Sequence, residues 1–300
     1  MIEEKIGAIL DGYSMETLRN FKEAHMCYDP ESGCGLIREI LPNTTDTLVI
    51  IYQTTEELGS LEALMRALVI REVVCDVREV PLSNLLLVPY SDRGTRTTRL
   101  DSEIEARRLV QRNLPVHAPA VTVLGCSLGG ALALPVAADI LKHSPFEAVK
   151  TFIVESPNVK KRNLAQLAFD FATRGRSIGE VKKRNFAKSS NQKLLADLQK
   201  LEVSCGFIFN MFLPENLRLL MDTVAKDSLE SQTANVLLIG GQVMHCYAKH
   251  GINRLHDNRR IKAKMGNHGG WANYTTVEVD GDHAITNDIA LLCKLLCENL

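Results

Sequence analysis

The chain lacks the features that mark exported, membrane-bound or nucleic-acid-binding proteins. No apolar run reaches the roughly 18 residues of a membrane span, and acidic side chains stand near the amino terminus where a signal peptide carries basic ones. The formal net charge is only −1, from 35 basic and 36 acidic residues, which argues against bulk binding to nucleic acid. We therefore expect a cytoplasmic protein with no membrane span and no nucleic-acid partner.

Paired cysteines are also missing, because none of the eight cysteines forms a C-x-x-C motif. In a chain of 300 residues this pattern indicates reduced thiols in a cytosolic setting. Some histidines and one cysteine cluster late in the chain, at irregular spacings that do not resemble a zinc site. These residues are His245, Cys246, His250, His256 and His268. The sequence therefore predicts neither a metal nor another cofactor.

Short apolar runs alternate with amphipathic helical segments along most of the chain. This alternation predicts an α/β fold, with a mostly parallel sheet covered by helices on both faces. The predicted strands occupy 47–53, 84–90, 118–125, 148–155, 234–241 and 274–281. Residues 1–45 lack the alternation and are expected to form an amino-terminal arm, which leaves 46–300 as the α/β domain.

The alternation stops between about residues 157 and 233, where the pattern is helical. Within 157–200 there are 11 lysines or arginines against 3 acidic residues, in a chain that is otherwise balanced. We interpret 157–233 as a helical lid inserted between two strands, and call it the lid segment. Its basic residues include Lys182 and Lys183, which are either a solvated face or a landing site for phosphates or an acidic protein.

The most informative short motif is VTVLGCSLGG, which runs from a predicted strand into a turn of small residues. It contains G-x-S-x-G, with Ser127 at its centre. A serine on a sharp strand-to-helix turn needs small neighbours so that its backbone can strain and its hydroxyl can protrude. The motif therefore predicts that Ser127 is a nucleophile. Cys126, beside it, is expected to pack into the strand, because the turn presents the central residue.

A serine hydroxyl needs a base within hydrogen-bond reach and an acid that orients the base. In the α/β-hydrolase arrangement the chain order is serine, acid, histidine. His283 follows the last predicted strand in the turn D-G-D-H and is the candidate base. Glu155 ends a predicted strand and is the favoured acid, with Asp282 and Asp257 as alternatives. The oxyanion hole would use backbone amides of Leu128 and of Gln53 or Thr54.

Three segments together resemble the thioesterase family of α/β hydrolases that release acyl chains from polyketide and nonribosomal peptide synthetases. They are GCSLGGALALPVAADILKHSPFEAVKTFIVESP, GGWANYTTVEVDGDHAITND and ELGSLEALMRAL. The resemblance covers roughly residues 45–300 and implies Ser127 as nucleophile, Glu155 as acid and His283 as base. The chain departs from the family pattern in having Tyr52-Gln53 in place of His-Pro, and a glutamate in place of the usual aspartate.

The function that follows is hydrolysis or transfer of an acyl group through an acyl-serine. The resemblance implies an acyl carrier protein or coenzyme A as the bearer of that acyl group. Two alternatives stay open: a carboxylesterase or lipase acting on oxygen esters, which the same residues would serve, and a non-catalytic binding protein built on the hydrolase fold.

Overall fold

The structure is a computed structural model that describes most of the chain. The residues outside the description are 32, 43, 45, 53–56, 90–98, 116–119, 144–147, 160–162, 164, 165, 167–177, 205–221, 223–227, 254 and 268–271. None of the described helices is both long and apolar enough to cross a membrane.

A single sheet of eight strands, in the order β1-β2-β4-β3-β5-β6-β7-β8, forms the centre of the molecule. The strands are β1 (Met26–Tyr28), β2 (Gly35–Glu39), β3 (Asp46–Tyr52), β4 (Asn84–Pro89), β5 (Ala120–Cys126), β6 (Ala148–Val154), β7 (Gln242–His250) and β8 (Tyr274–Asp282). β1 and β2 run antiparallel to their neighbours, and all other pairs are parallel. Because β3 to β8 are parallel, their carboxyl ends meet at one edge, where sites in such sheets form.

Ten α-helices are described around this sheet. They are α1 (Ile2–Asp11), α2 (Met15–His25), α3 (Glu57–Val77), α4 (Arg99–Asn113), α5 (Gly130–His143), α6 (Ile178–Asn185), α7 (Gln192–Ser204), α8 (Leu229–Leu238), α9 (Leu255–Asn267) and α10 (Ile289–Asn299). Buried residues of α1, α3 and α10 pack on one face of the sheet, and those of α4, α5, α8 and α9 pack on the other. The predicted α/β architecture with helices on both faces is confirmed.

The amino-terminal residues are part of the sheet, which differs from the arm expected over residues 1–45. β1 and β2 pair with each other, and β2 pairs with β4, so this segment adds two strands to one edge. α1 buries Ile6 and Leu10 against the same core as α3. Sequence reasoning missed these elements because β1 has only three residues and β2 only five, too short for a clear periodicity.

The strand predicted at 234–241 is wrong, since these residues end a helix. α8 runs to Leu238 and buries Val236 and Leu237 while leaving Leu238 exposed. A short apolar run fits a buried strand and a buried helix equally well, and periodicity does not separate the two. The strand that follows is β7, which begins only at Gln242.

The lid segment is helical wherever the structure describes its regular elements. α6 and α7 lie within it, and α8 begins inside it and continues to β7. The basic side chains at 160–162 and much of the middle of the segment, including 205–221, lie outside the described residues. The insertion falls between β6 and β7, so it follows the strand that carries Glu155.

Candidate active site

Ser127 directly follows β5, at the carboxyl edge of the sheet. Its φ of 50° lies in the left-handed region, and it begins a short 3-10 turn, Ser127–Gly129, that leads into α5. A non-glycine residue in this conformation costs about 1–3 kcal/mol and persists only where its surroundings enforce it. The strained turn that the sequence motif predicted is therefore present, and its serine is almost fully buried.

The two glycines that flank Ser127 are required by close packing. A Cβ atom added to Gly129 would overlap the carbonyl oxygen of Ile51 in β3, and one added to Gly125 would overlap the backbone of Gly129 and the side chain of Ala133. The strand-to-helix turn is thus folded tightly against its own helix and the neighbouring strand. Small residues at both positions are what allows the serine backbone to reach its strained conformation.

His283 lies beside Ser127, although 156 residues separate the two in the chain. The serine Oγ is 2.9 Å from Nε2 of the imidazole, a hydrogen-bond distance. The histidine begins a 3-10 segment, His283–Asn287, which we call the histidine turn, directly after β8. The ring is 3% exposed, so this pair is shielded from solvent.

Glu155 directly follows β6, as Ser127 directly follows β5. Its φ of 52° also lies in the left-handed region, and its carboxylate is completely buried. Oε2 is 3.6 Å from Nδ1 of His283, an ion-pair distance slightly longer than a hydrogen bond. Because β5 and β6 are parallel neighbours with Cys126 opposite Val154, these two strained residues lie side by side.

Two backbone amides, one near the end of β7 and one just beyond it, hold the Glu155 carboxylate. The amide of Ala248 donates to Oε1 at 2.7 Å, and that of Ile252 donates to Oε2 at 3.0 Å. Between them, Gly251 lies so close that an added Cβ would overlap the carboxylate. Sequence reasoning did not find this cradle, because the preceding strand was expected at 234–241. Had the strand been predicted at 242–250, Gly251 and its neighbours would have been expected at the carboxyl edge of the sheet, close to Glu155.

The two alternative acids make other contacts in the structure. Asp282 accepts a hydrogen bond from the amide of Ala284 at 2.8 Å and so caps the histidine turn. Asp257 lies in the first turn of α9, with Oδ1 4.0 Å from Nδ1 of His256. Glu155 is the predicted acid for which the structure gives a contact with His283.

The predicted oxyanion-hole residues are described only in part. Gln53 and Thr54 lie outside the described residues. Leu128 directly follows the serine in the 3-10 turn, Ser127–Gly129, that leads into α5. The part of its amide in an oxyanion hole stays a prediction.

Cys126 has the chemistry of a packed thiol. Burial raises its pKa to about 12, and the nearby positive charge of Arg66 offsets this only partly. Since the thiolate is the nucleophilic form, a thiol with this pKa is inert near neutral pH. This agrees with the expectation that Cys126 packs in β5 while the turn presents Ser127.

The two lysines proposed as a landing site differ in their surroundings. Nζ of Lys182 is 3.1 Å from Oε2 of Glu62 in α3, and both side chains are largely covered. Lys183 is exposed on α6. The structure therefore separates them: Lys182 links the lid segment to α3, and Lys183 points to solvent.

The late histidines and Cys246 do not converge. His245 is buried within β7, whereas His256 is 87% exposed on α9, and His268 lies outside the described residues. Among the residues that the structure describes, no group of three or more histidine, cysteine or acidic side chains is arranged to hold a metal ion.

Strand order, the strained serine at the end of β5 and the histidine beyond β8 define the α/β-hydrolase fold. Solved structures with this fold align over nearly the whole chain. The thioesterase domain from the curacin biosynthetic pathway has a TM-score of 0.54 at 13% identity, covering 91% of this chain and 98% of that one. MGS-M2, an α/β hydrolase from a Medee basin deep-sea metagenome, has a TM-score of 0.52 at 12% identity, covering 91% and 98%.

A carboxylesterase structure from the thaumarchaeon Nitrososphaera gargenis has a TM-score of 0.50 at 14% identity, covering 92% of this chain and 100% of that one. Identities this low establish the fold and leave the substrate open. No protein-family model and no curated protein sequence matches the chain.

Proposed function

We propose that the protein is a serine hydrolase that acts on acyl esters, with acyl thioesters as its preferred substrates. The observation that carries the proposal is the alignment of Ser127, His283 and Glu155 in one buried site at the carboxyl edge of the sheet. Hydroxyl, imidazole and carboxylate in this order form the arrangement that activates a serine for attack on a carbonyl.

In the proposed mechanism, Nε2 of His283 takes the proton of Ser127 as the hydroxyl attacks the acyl carbon. Glu155 holds the ring through Nδ1 and stabilises the imidazolium that forms. The amide of Leu128 donates to the oxyanion, together with an amide of Gln53 or Thr54. His283 then protonates the leaving thiolate or alkoxide. It next deprotonates a water that attacks the acyl carbon, and returns this proton to Oγ of Ser127 as the carboxylic acid leaves.

The preference for thioesters is supported by the resemblance of the serine and histidine segments to synthetase thioesterases. The bearer of the acyl group is then an acyl carrier protein or coenzyme A. Lys183 offers an exposed positive charge on the lid segment for the phosphate or the acidic surface of either. The largely covered ion pair of Lys182 with Glu62 supports a structural role for Lys182 in the same lid segment.

The first experiment is intact-mass spectrometry of the wild type and of Ser127→Ala after exposure to a fluorophosphonate. We expect one phosphonate adduct on the wild type and none on the variant. The same proteins are then exposed to a panel of acyl thioesters, and a transient acyl mass on the wild type would identify the acyl group. If neither folded protein is labelled, the proposal is wrong, and the non-catalytic alternative takes its place.

The second candidate function, a carboxylesterase or lipase, uses the same residues on oxygen esters. The two are separated by kcat/KM for a thioester and an oxygen ester with the same acyl chain. A thioester preference of about tenfold or more supports the first candidate; it corresponds to about 1.4 kcal/mol of transition-state free energy, which includes the better leaving ability of a thiolate. A preference for the oxygen ester favours the second.

A further inference from the structure

The histidine turn depends on contacts beyond its own strand for its position. β8 ends at Asp282, whose side chain caps the start of the turn at Ala284. At the other end, Asn287 and Asp288 lead into α10. A five-residue 3-10 segment is short and has poorer hydrogen-bond geometry than an α-helix, so its far end needs external partners to fix the ring of His283.

Asn185, the last residue of α6, supplies such partners with both ends of its amide. Nδ2 donates to the backbone oxygen of Asn287 at 2.8 Å, and Oδ1 accepts from the amide of Ile289 at 3.1 Å. The side chain is 8% exposed. The side-chain amide thus binds two backbone groups that lie two residues apart. Losing either contact would leave a buried polar group unsatisfied, so the pair of hydrogen bonds favours one arrangement of this backbone.

The residues around Asn185 reinforce the same junction from two sides. On α6, Arg184 pairs with Asp288, which lies between the two backbone groups that Asn185 grips. On α3, Nη1 of Arg66 donates to Oδ1 of Asn287. The end of the histidine turn is therefore held between α6 of the lid segment and α3.

α6 is in turn anchored by the amino-terminal helices. Oδ1 of Asp11 accepts from Oγ of Ser189 at 2.6 Å and from the amide of Ser190 at 2.8 Å, just beyond α6. Nδ2 of Asn191 donates to the backbone oxygens of Leu10 at 2.9 Å and Tyr13 at 2.6 Å. Thus α1 and the turn after it fix the segment that follows α6, and α6 fixes the histidine turn.

The geometry points to Asn185 as a positioning residue for His283: the lid helix α6 sets the orientation of the base through Asn287 and Ile289. This inference rests on the proposed function. It assigns to α6 a part in catalysis that is separate from any docking of a carrier. If the ring is displaced by a fraction of an ångström from Ser127, the protein keeps its fold but turns over more slowly, because the rate depends steeply on the alignment of the reacting groups.

The test compares the wild type with Asn185→Ala and with the isosteric Asn185→Asp, which keeps an acceptor for Ile289 and loses the donor to Asn287. Glu180→Gln is the matched control, since Glu180 is exposed on the same helix. For each protein we would measure kcat and KM on a small ester, the pH profile of kcat/KM, urea unfolding, and the imidazole signals of His283 by histidine-selective NMR, assigned with His283→Gln.

We expect kcat to fall by about 10- to 100-fold in both Asn185 variants, with KM unchanged within twofold. The His283 signals should shift, and Glu180→Gln should match the wild type. Rates, pH profile and His283 signals all equal to those of the wild type would overturn the inference.

The two proposals fail in distinguishable ways. If the wild type neither hydrolyses any ester nor takes up the phosphonate, the proposed function is wrong, and the NMR signals of His283 alone decide whether α6 positions the ring. If Asn185→Ala does not fold, Asn185→Asp decides, because it preserves the volume of the side chain.

Discussion

The carboxylate of Glu155 rests against the α-carbon of Gly251, in space that any other residue at 251 would fill with its Cβ. The amides of Ala248 and Ile252 hold the two carboxylate oxygens on either side of this contact. A glutamate side chain reaches farther from its backbone than an aspartate side chain does. Because Gly251 has no Cβ, the longer side chain fits against its backbone. The position of the acid after β6 is thus defined by residues in and just after the neighbouring strand β7.

Gly251→Ala is expected to displace the carboxylate and slow turnover by about 10- to 100-fold, because misplacement of a catalytic group carries costs of this size. The measurement is kcat and KM on a small ester, with Gly12→Ala as control, since Gly12 has right-handed helical dihedrals and ordinary contacts around its Cβ position. Glu155→Asp shortens the acidic side chain, so its carboxylate should no longer need the space that Gly251 leaves open. In a double-mutant cycle, Gly251→Ala should therefore cost much less in the Glu155→Asp background, and full additivity would contradict this account.

The serine turn makes a second prediction through Gly129, whose α-hydrogen faces the carbonyl oxygen of Ile51. Gly129→Ala should push the turn away from β3, lowering stability by about 1–3 kcal/mol as overpacking does, and should also lower kcat. The measurements are urea unfolding and ester hydrolysis. Gly179→Ala, where an added Cβ meets open space, is the control. A Gly129→Ala protein with the stability and rate of the wild type would show that the turn tolerates a side chain.

Features carried by short stretches could be predicted from the sequence. The serine turn follows from a local steric rule about Gly125, Ser127 and Gly129, and His283 follows from the end of a clear strand. The alternation of strands and helices likewise gave the sheet and its covering layers. In each case the information lies within about ten residues, which is the range that periodicity and turn chemistry describe.

Features that join distant segments could not be predicted in this way. The contacts of Ala248 and Ile252 with Glu155 depend on the position of β7. The sequence misplaced this strand, because the apolar run at 234–241 is compatible with either a buried strand or a buried helix. The contact of Asn185 with Asn287 spans 102 residues and follows no local pattern. The short strands are stabilised by pairing, β1 with β2 and β2 with β4, which a single segment does not reveal.

The structure sharpens the prediction for the basic lid, because it distinguishes Lys182 from Lys183. Lys183→Glu should raise KM for substrates borne by a carrier protein several-fold and leave small esters unaffected, since it changes an exposed charge. Lys182→Glu places a carboxylate against Glu62, so it should weaken the lid and affect both substrate types alike. Steady-state kinetics on a matched pair of acyl carrier and small ester substrates tests both. Unchanged kinetics of Lys183→Glu on carrier substrates would exclude the docking proposal.

The last prediction concerns His245, which is 1% exposed in β7 between β6 and β8. Burial lowers its pKa from the ordinary 6.5 to about 4, so the unfolded chain binds a proton more readily than the folded one. Stability therefore falls as the pH drops below 6.5, by about 2 kcal/mol at pH 5 and about 3 kcal/mol at pH 4. The variant His245→Leu should lack this loss of stability at low pH. The control variant His256→Leu, at an exposed position, should retain it. Urea unfolding of the three proteins at pH 7 and pH 5 measures the difference. If the stability gap between the wild type and His245→Leu is the same at both pH values, His245 is not the residue that makes the fold sensitive to acid.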